Sequence, residues 1–183
     1  MNNYKYWEQF YKNQHILEPS DFARSLNLRN KRIIDMGCGK GRDTFHFKNL
    51  GNNVIGVDEF SPDVAGFKKM KIEDYLKLKC DCGSSVDHRD VLYMRFLLQA
   101  IDEDLENDIF NWIIKNIDEI YIECRSDKGI VPDDSHQRRL INGEELKLKV
   151  VSSGFDIKYF AEQTGFAPYK NEDPVIIRLV AKR

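Results

Sequence analysis

One stretch constrains this chain more than any other: Arg32-Ile33-Ile34-Asp35-Met36-Gly37-Cys38-Gly39-Lys40-Gly41-Arg42-Asp43. β-Branched residues run into an acid, and glycines then alternate at Gly37, Gly39 and Gly41. This reads as a strand ending in a tight turn, where bare backbone can approach a ligand. A second strand, Asn53-Val54-Ile55-Gly56-Val57, also ends in an acid, Asp58. An acid roughly twenty residues on from such a turn is placed, in a βαβ unit, to take a ribose. The pair points to an adenosine-type cofactor.

The glycine spacing decides against a nicotinamide. That fingerprint needs Gly-x-Gly-x-x-Gly, and here the sixth position is Arg42 while Gly41 comes one residue early. Asp35 would also repel a pyrophosphate and attract a free amino group. No Gly-Lys-Ser/Thr follows, so a P-loop is excluded. A glycine turn that only joins strand to helix is the structural alternative, and the two acids in register weigh against it.

The pattern Asp-x-Gly-x-Gly-x-Gly resembles motif I of the class I S-adenosylmethionine-dependent methyltransferases. That resemblance implies Asp35 near the methionine moiety and Met36, Gly37, Cys38, Gly39 and Gly41 passing beside the cofactor. It also implies Asp58, with Glu59 next to it, at the ribose. The acid usual after strand three in that family is Lys71 here, so the adenine amine is expected to meet Glu73, Asp74 or backbone near Ile72. The implied cofactor is S-adenosyl-L-methionine, with S-adenosyl-L-homocysteine as product. Methyl transfer from a sulfonium demands no metal.

Further segments are similar to one subgroup of these enzymes: Tyr93-x-Arg95-Phe96, Glu123-x-Arg125-Ser126, His136-x-Arg138-Arg139, and Pro168-Tyr169-Lys170-Asn171-Glu172-Asp173-Pro174. The subgroup comprises small bacterial and viral enzymes of surface-glycan and sugar-nucleotide pathways, sometimes fused to glycan-assembly domains. Members often carry His where Gln99 stands, so no base is expected there. His136 among arginines reads as a general base or as an exposed loop histidine, with nearby arginines lowering its pKa. Arginine from three segments (Arg95, Arg125, Arg139) suggests an anionic acceptor. Arg95 has a structural alternative as an ion-pair partner. Glu123 reads as a catalytic or supporting partner of Arg95 or Arg125. Tyr169 and Lys170 read equally as acceptor contacts or as part of a solvated hairpin loop.

The expected activity is methyl transfer to a small anionic carbohydrate-type acceptor, oxygen favoured. Two alternatives stay open: another small metabolite or nucleotide as acceptor, or a catalytically silent cofactor-binding partner of a glycan-assembly protein.

Composition fits this. Hydrophobic residues at 42% and aromatics at 11% suit one globular domain over 1–183, and the family resemblance implies 1–28 as its helical cover. A net charge of −2 leaves no nucleic-acid footprint. The sequence has no membrane-length apolar run, and its polar, aromatic start does not read as a signal peptide. Four cysteines (Cys38, Cys80, Cys82, Cys124) without a framework suggest a reduced, cytoplasmic setting, with Cys80 and Cys82 a weaker metal option.

Strands are expected at Arg32–Asp35, Asn53–Val57, Phe67–Ile72, Asp90–Leu97, Glu119–Cys124, Phe155–Ala161 and Val175–Ala181, the last two antiparallel. Helices are expected near Tyr4–Leu17, Phe22–Leu26, Arg42–Leu50 and Glu73–Leu78, then over a stripe from Ile101 to Ile117, and at Gly143–Val151. The fold class is therefore α/β: a Rossmann-like, doubly wound, mostly parallel sheet with an antiparallel last strand and helices on both faces.

Overall fold

The computed structural model describes residues 3–13, 18–78, 89–129, 139–169 and 171–183. Seven strands form one sheet: β1 (Arg32–Met36), β2 (Asn53–Val57), β3 (Phe67–Lys68), β4 (Arg89–Arg95), β5 (Ile117–Arg125), β6 (Asp156–Gln163) and β7 (Ile176–Lys182). Their order is β3-β2-β1-β4-β5-β7-β6. The first five run parallel, and β7 runs antiparallel to both β5 and β6. The chain winds outward from β1 to β3 and returns to β4 on the other side of β1. That reversal opens a crevice at the carboxyl ends of the strands.

Six α-helices are α1 (Asn3–Asn13), α2 (Asp21–Ser25), α3 (Arg42–Asn49), α4 (Ile72–Leu78), α5 (Glu103–Asn116) and α6 (Gly143–Ser152). Alternation along each strand sends side chains to two cores. Ile33, Val91, Tyr93 and Tyr121 meet Phe22 and Ala23 of α2 and Phe47 of α3 on one face. Ile34, Met36, Leu92, Met94, Ile120 and Ile122 meet Tyr75 of α4, Ile109 and Ile113 of α5, and Leu146 of α6 on the other. Helices thus cover both faces, as the alternating sequence pattern requires.

Caps fix the helix starts. The Ser20 hydroxyl accepts from the Ala23 N–H at 3.0 Å, and the Asn142 side chain accepts from Glu144 and Glu145 at 3.0 and 3.1 Å. Each such cap is worth about 1 kcal/mol.

The third strand differs from its expectation. Only Phe67 and Lys68 pair with β2. The Met70 N–H turns back to the Lys68 carbonyl at 3.0 Å, and the chain enters α4 at Ile72. A one-turn connection from β2 brings the chain back for two residues before its polar run favours a turn. Ile117, expected at the end of the α5 stripe, begins β5 instead, buried under the sheet. Among the described residues, no helix is long and apolar enough to cross a membrane.

Candidate functional site

A cleft of 1320 Å³ lies at the carboxyl ends of the parallel strands. Most of its wall comes from segments that follow a strand, and one side from α1, which precedes β1. Asp35, Gly37 and Cys38 come from β1 and its turn, Arg42 and Asp43 from the start of α3, and Asp58, Glu59 and Phe60 from beyond β2. Ile72 and Glu73 open α4, Arg95 to Leu97 follow β4, and Arg125 ends β5. Phe166 to Tyr169 and Glu172 close one side, and Tyr6, Trp7, Phe10 and Tyr11 of α1 close another.

The glycine turn is stitched to the second acid. The Gly39 N–H donates to Asp58 Oδ2 at 3.0 Å, and the Phe60 N–H donates to Asp58 Oδ1 at 2.8 Å. Gly39 has φ +54°, and a Cβ there would lie 2.4 Å from the Tyr11 hydroxyl. Only glycine combines that left-handed backbone with so close an aromatic neighbour. Burial raises the Asp58 carboxyl, and its two backbone N–H partners oppose the rise.

Asp35 is buried and accepts from the Thr44 hydroxyl at 2.5 Å. Burial first, and the charge of Asp43 second, push its carboxyl up to about 8. Such an acid is poised to ionise against an incoming cation. Asp43 is saturated by comparison. It accepts from the Ser20 N–H at 2.7 Å, the Ser20 hydroxyl at 2.8 Å and the Tyr93 hydroxyl at 2.9 Å. This network ties the segment before α2 to the first turn of α3 and to β4.

A row of charge crosses three strands. Arg95 of β4, Glu123 of β5 and Arg178 of β7 are direct cross-strand neighbours. Glu123 is 1% exposed and accepts from Arg95 Nε at 2.7 Å and from Arg178 Nε at 2.6 Å. The Arg95 guanidinium lies 4.2 Å from the centre of the Phe96 ring, and Phe96 takes φ +57°. A left-handed aromatic residue at a strand end is uncommon backbone. It is held by a hydrogen bond from the Phe96 N–H to the Glu123 carbonyl at 2.7 Å.

The candidate residues read from the sequence divide accordingly. Asp35, Gly37, Cys38, Asp58, Glu59, Ile72, Glu73, Arg95, Arg125 and Tyr169 share the cleft. Met36 instead lies in the core, its side chain on the opposite sheet face from Asp35. Gly39 and Gly41 are buried beneath Tyr11 and Phe67, respectively. Glu123 lies behind Arg95, occupied by two arginines and shut off from the cleft. Arg139 is drawn away: it pairs with Glu106, which also accepts from Lys149 Nζ at 2.6 Å. That buried acid on α5 needs cationic partners, and Arg139 is one of them. His136 and Lys170 lie outside the described residues, as do Cys80 and Cys82.

Gln99, expected to carry no base, joins two loops: its side chain accepts from the Arg125 N–H at 2.7 Å and its carbonyl from the Arg139 N–H at 3.0 Å. Sequence reasoning assigns no role at the site to Ser20, Arg42, Asp43 or Tyr93, Tyr93 entering only within the Tyr93-x-Arg95-Phe96 segment. Arg42 was legible only as the residue breaking a glycine spacing. Its position one step beyond the third glycine was the available signal.

No family model matches the chain. Part of it is similar to ubiquinone biosynthesis O-methyltransferases. The one from Nitrobacter winogradskyi is 39% identical over 70 residues, covering 38% of this chain and 26% of that protein. The one from Bradyrhizobium diazoefficiens is 28% identical over 91 residues, covering 48% and 36%. The chain thus spans about a third or less of the length of these curated relatives. Solved structures match far more of it. A Burkholderia thailandensis 1,6-didemethyltoxoflavin-N1-methyltransferase, with S-adenosylhomocysteine bound, superposes with a TM-score of 0.71 at 16% identity, covering 99% of this chain and 84% of that one. A SAM-dependent methyltransferase from Archaeoglobus fulgidus gives 0.63 at 18% identity, covering 84% and 86%. The chain has the Rossmann-like fold of the SAM-dependent methyltransferases.

Proposed function

We propose that this protein binds S-adenosyl-L-methionine and transfers its methyl group to an oxygen of a small anionic acceptor. The observation that carries this is the joint placement of Asp35, the glycine turn and Asp58 on one cleft wall. The residues fit the group. A buried acid raised to about 8 suits an ammonium, and a turn that a Cβ would obstruct suits close backbone approach.

In this reading Asp35 holds the amino group of the cofactor. Asp58 takes the ribose hydroxyls: each of its oxygens already accepts one backbone N–H and retains a second lone-pair site. Glu59, Ile72 and Glu73 line the adenine side. The cofactor supplies a methyl group already activated on a sulfonium. What the chain must add is position and, for a hydroxyl acceptor, removal of its proton. His136 is the proposed base on sequence grounds. Arg95 and Arg125 orient the acceptor, with Tyr169 and Lys170 at its outer edge. Glu123 positions Arg95 and does not touch the reacting atoms.

The acceptor is proposed to be carbohydrate-type: a sugar phosphate, sugar nucleotide or glycan. The subgroup resemblance and the arginines support this. A second reading has its own observation. Trp7, Phe96, Phe166 and Tyr169 give the cleft aromatic walls, and the relatives matched in sequence are O-methyltransferases of ubiquinone biosynthesis. A ring-bearing hydroxylated acceptor suits both facts. Calorimetry with S-adenosyl-L-homocysteine tests the cofactor assignment, and absence of binding refutes it. A panel of sugar phosphates, sugar nucleotides and hydroxylated aromatics with labelled cofactor separates the acceptors. Cofactor binding with no turnover on any acceptor, alone or beside a glycan-assembly protein, would instead favour a silent partner.

A further inference from the structure

Arg42 is a half-buried residue on the cleft wall whose guanidinium has no hydrogen-bond partner among the described residues. Its side chain is 26% exposed, and its nearest carboxylate oxygen, Asp43 Oδ1, is 3.9 Å from Nε. Asp43 is already committed to Ser20 and Tyr93. Among the described residues Arg42 makes no hydrogen bond, although a guanidinium carries five N–H donors. Groups so placed normally find partners, because an unpaired charge out of water is costly.

Arg95 stands near it with the same surplus. Glu123 and Phe96 fix its Nε edge and its face, which leaves its terminal nitrogens without a described hydrogen-bond partner. Glu123 is shared with Arg178, so one carboxylate serves two guanidiniums. Asp43, beside Arg42, is likewise divided between Ser20 and Tyr93, while Asp21 and Asp35 on the same cleft lie within electrostatic reach of Arg95. Arg42 and Arg95 line the same cleft, and Asp43, next to Arg42, accepts from Tyr93, two residues before Arg95 on β4; the like charge of Arg95, after burial, also lowers the Arg42 pKa.

Position along the sheet edge says which ligand these guanidiniums meet. Asp58 follows β2, Asp35 ends β1, and Arg95 ends β4, one strand further on. The two acids proposed for the cofactor thus lie beyond β1 and β2 and Arg95 beyond β4, while Arg42, which opens α3 after the glycine turn, is drawn toward β4 by the bond from the Tyr93 hydroxyl to its neighbour Asp43. Arg125, one more strand along, is spent on Glu172 at 3.1 Å.

We propose that Arg42 and Arg95 form a phosphate subsite for the acceptor, with Arg42 as its specificity-determining residue. This rests on the methyl-transfer reading and replaces the arginine set suggested by sequence. Two guanidiniums bracket a phosphate through several charge-assisted hydrogen bonds, and Lys would not reproduce their fork.

The test is a titration of inorganic phosphate into protein saturated with S-adenosyl-L-homocysteine, followed by NMR of backbone amides and arginine Nε–H groups. Wild type is expected to show saturable shifts centred on Arg42 and Arg95. Arg42→Gln should bind phosphate roughly tenfold or more weakly, with Arg42→Lys between the two. Its affinity for S-adenosyl-L-homocysteine should stay within about twofold of wild type. Because Arg42 makes no described hydrogen bond, the variant should keep the wild-type far-UV spectrum. Unsaturable phosphate shifts in wild type overturn the proposal, as does wild-type phosphate affinity in Arg42→Gln. Loss of S-adenosyl-L-homocysteine binding in Arg42→Gln also overturns it, because the arginines would then serve the carboxylate of the cofactor. If wild type does not bind S-adenosyl-L-homocysteine at all, the methyl-transfer reading fails. Phosphate titration without it then judges the subsite alone.

Discussion

Glu123→Gln should destabilise this protein far more than a typical polar substitution. Glu123 sits near the carboxyl end of β5, an interior strand, 1% exposed, and its two oxygens each accept from a different strand, at 2.7 and 2.6 Å. Its partners are themselves largely covered, with Arg95 18% and Arg178 11% exposed. A glutamine removes the shared negative charge and turns an N–H₂ toward one guanidinium. Two largely buried cations then lose the carboxylate they share. Breaking a buried pair of this kind costs about 3–5 kcal/mol, against a total stability of roughly 5–15 kcal/mol. For a chain of this size the loss corresponds to a fall in Tm of about 6–20 °C. Urea denaturation followed by circular dichroism should show the midpoint falling by roughly 1–3 M with the slope unchanged. A loss under about 1 kcal/mol would place the row on a par with an exposed ion pair and refute the reasoning. Unchanged stability with abolished turnover would refute it differently, by giving Glu123 a part in the chemistry.

Three more outcomes follow from the site. Asp58→Ala removes the acceptor for the Gly39 and Phe60 N–H groups and for the ribose, and should weaken S-adenosyl-L-homocysteine binding about ten- to hundredfold by calorimetry. His136→Ala should leave that binding intact and cut turnover by about a hundredfold or more in a labelled-methyl assay. If both variants lose the cofactor equally, the base assignment fails. Asp35 predicts a pH dependence. With its carboxyl pushed up to about 8, the free site holds a proton at neutral pH that must leave before the acid can face an ammonium. Affinity should therefore rise with pH, by at most roughly tenfold per unit, and flatten near 8; Asp35→Asn should remove the slope. The same shift means that the ligand-free fold loses stability as pH rises from about 4 towards 8, since its folded state retains a proton the unfolded chain has released.

Local signals were the legible ones. Asp35, Gly37 to Gly41 and Asp58 fall within one βαβ unit, so their spacing pointed to one adenosine-type cofactor, and Asp35, the turn and Asp58 do line one cleft. Asn142 was readable as a cap because its partners are the next two residues it reaches. Long-range pairing was not readable. Nothing in the sequence announces that Glu106, 33 residues away, claims Arg139, or that Arg178 completes a row with Arg95 and Glu123. Arginines clustered in sequence motifs looked alike, and burial sorted them: one to α5, one into an ion pair with Glu172, one left facing the cleft. Arg42 went the other way, dismissed as a spacing defect and found with its donors unspent. The third strand shortened because pairing geometry, not hydropathy, set its length.

The position of β7 has a kinetic consequence. It lies between β5 and β6, and both of its ladders are antiparallel. Strand β6 is made first during synthesis, yet it has no neighbour in the sheet until β7 arrives. The Glu123–Arg178 contact closes a separation of 55 residues. Closure over such a distance is slow, and the pairing of β1 with β4 is of the same kind, with Ile33 opposite Val91 across 58 residues. Until β7 is in place, β6 lacks its partner in the sheet and presents an unpaired edge. At that stage it is most open to mispairing with another chain, and the arrival of β7 ends it.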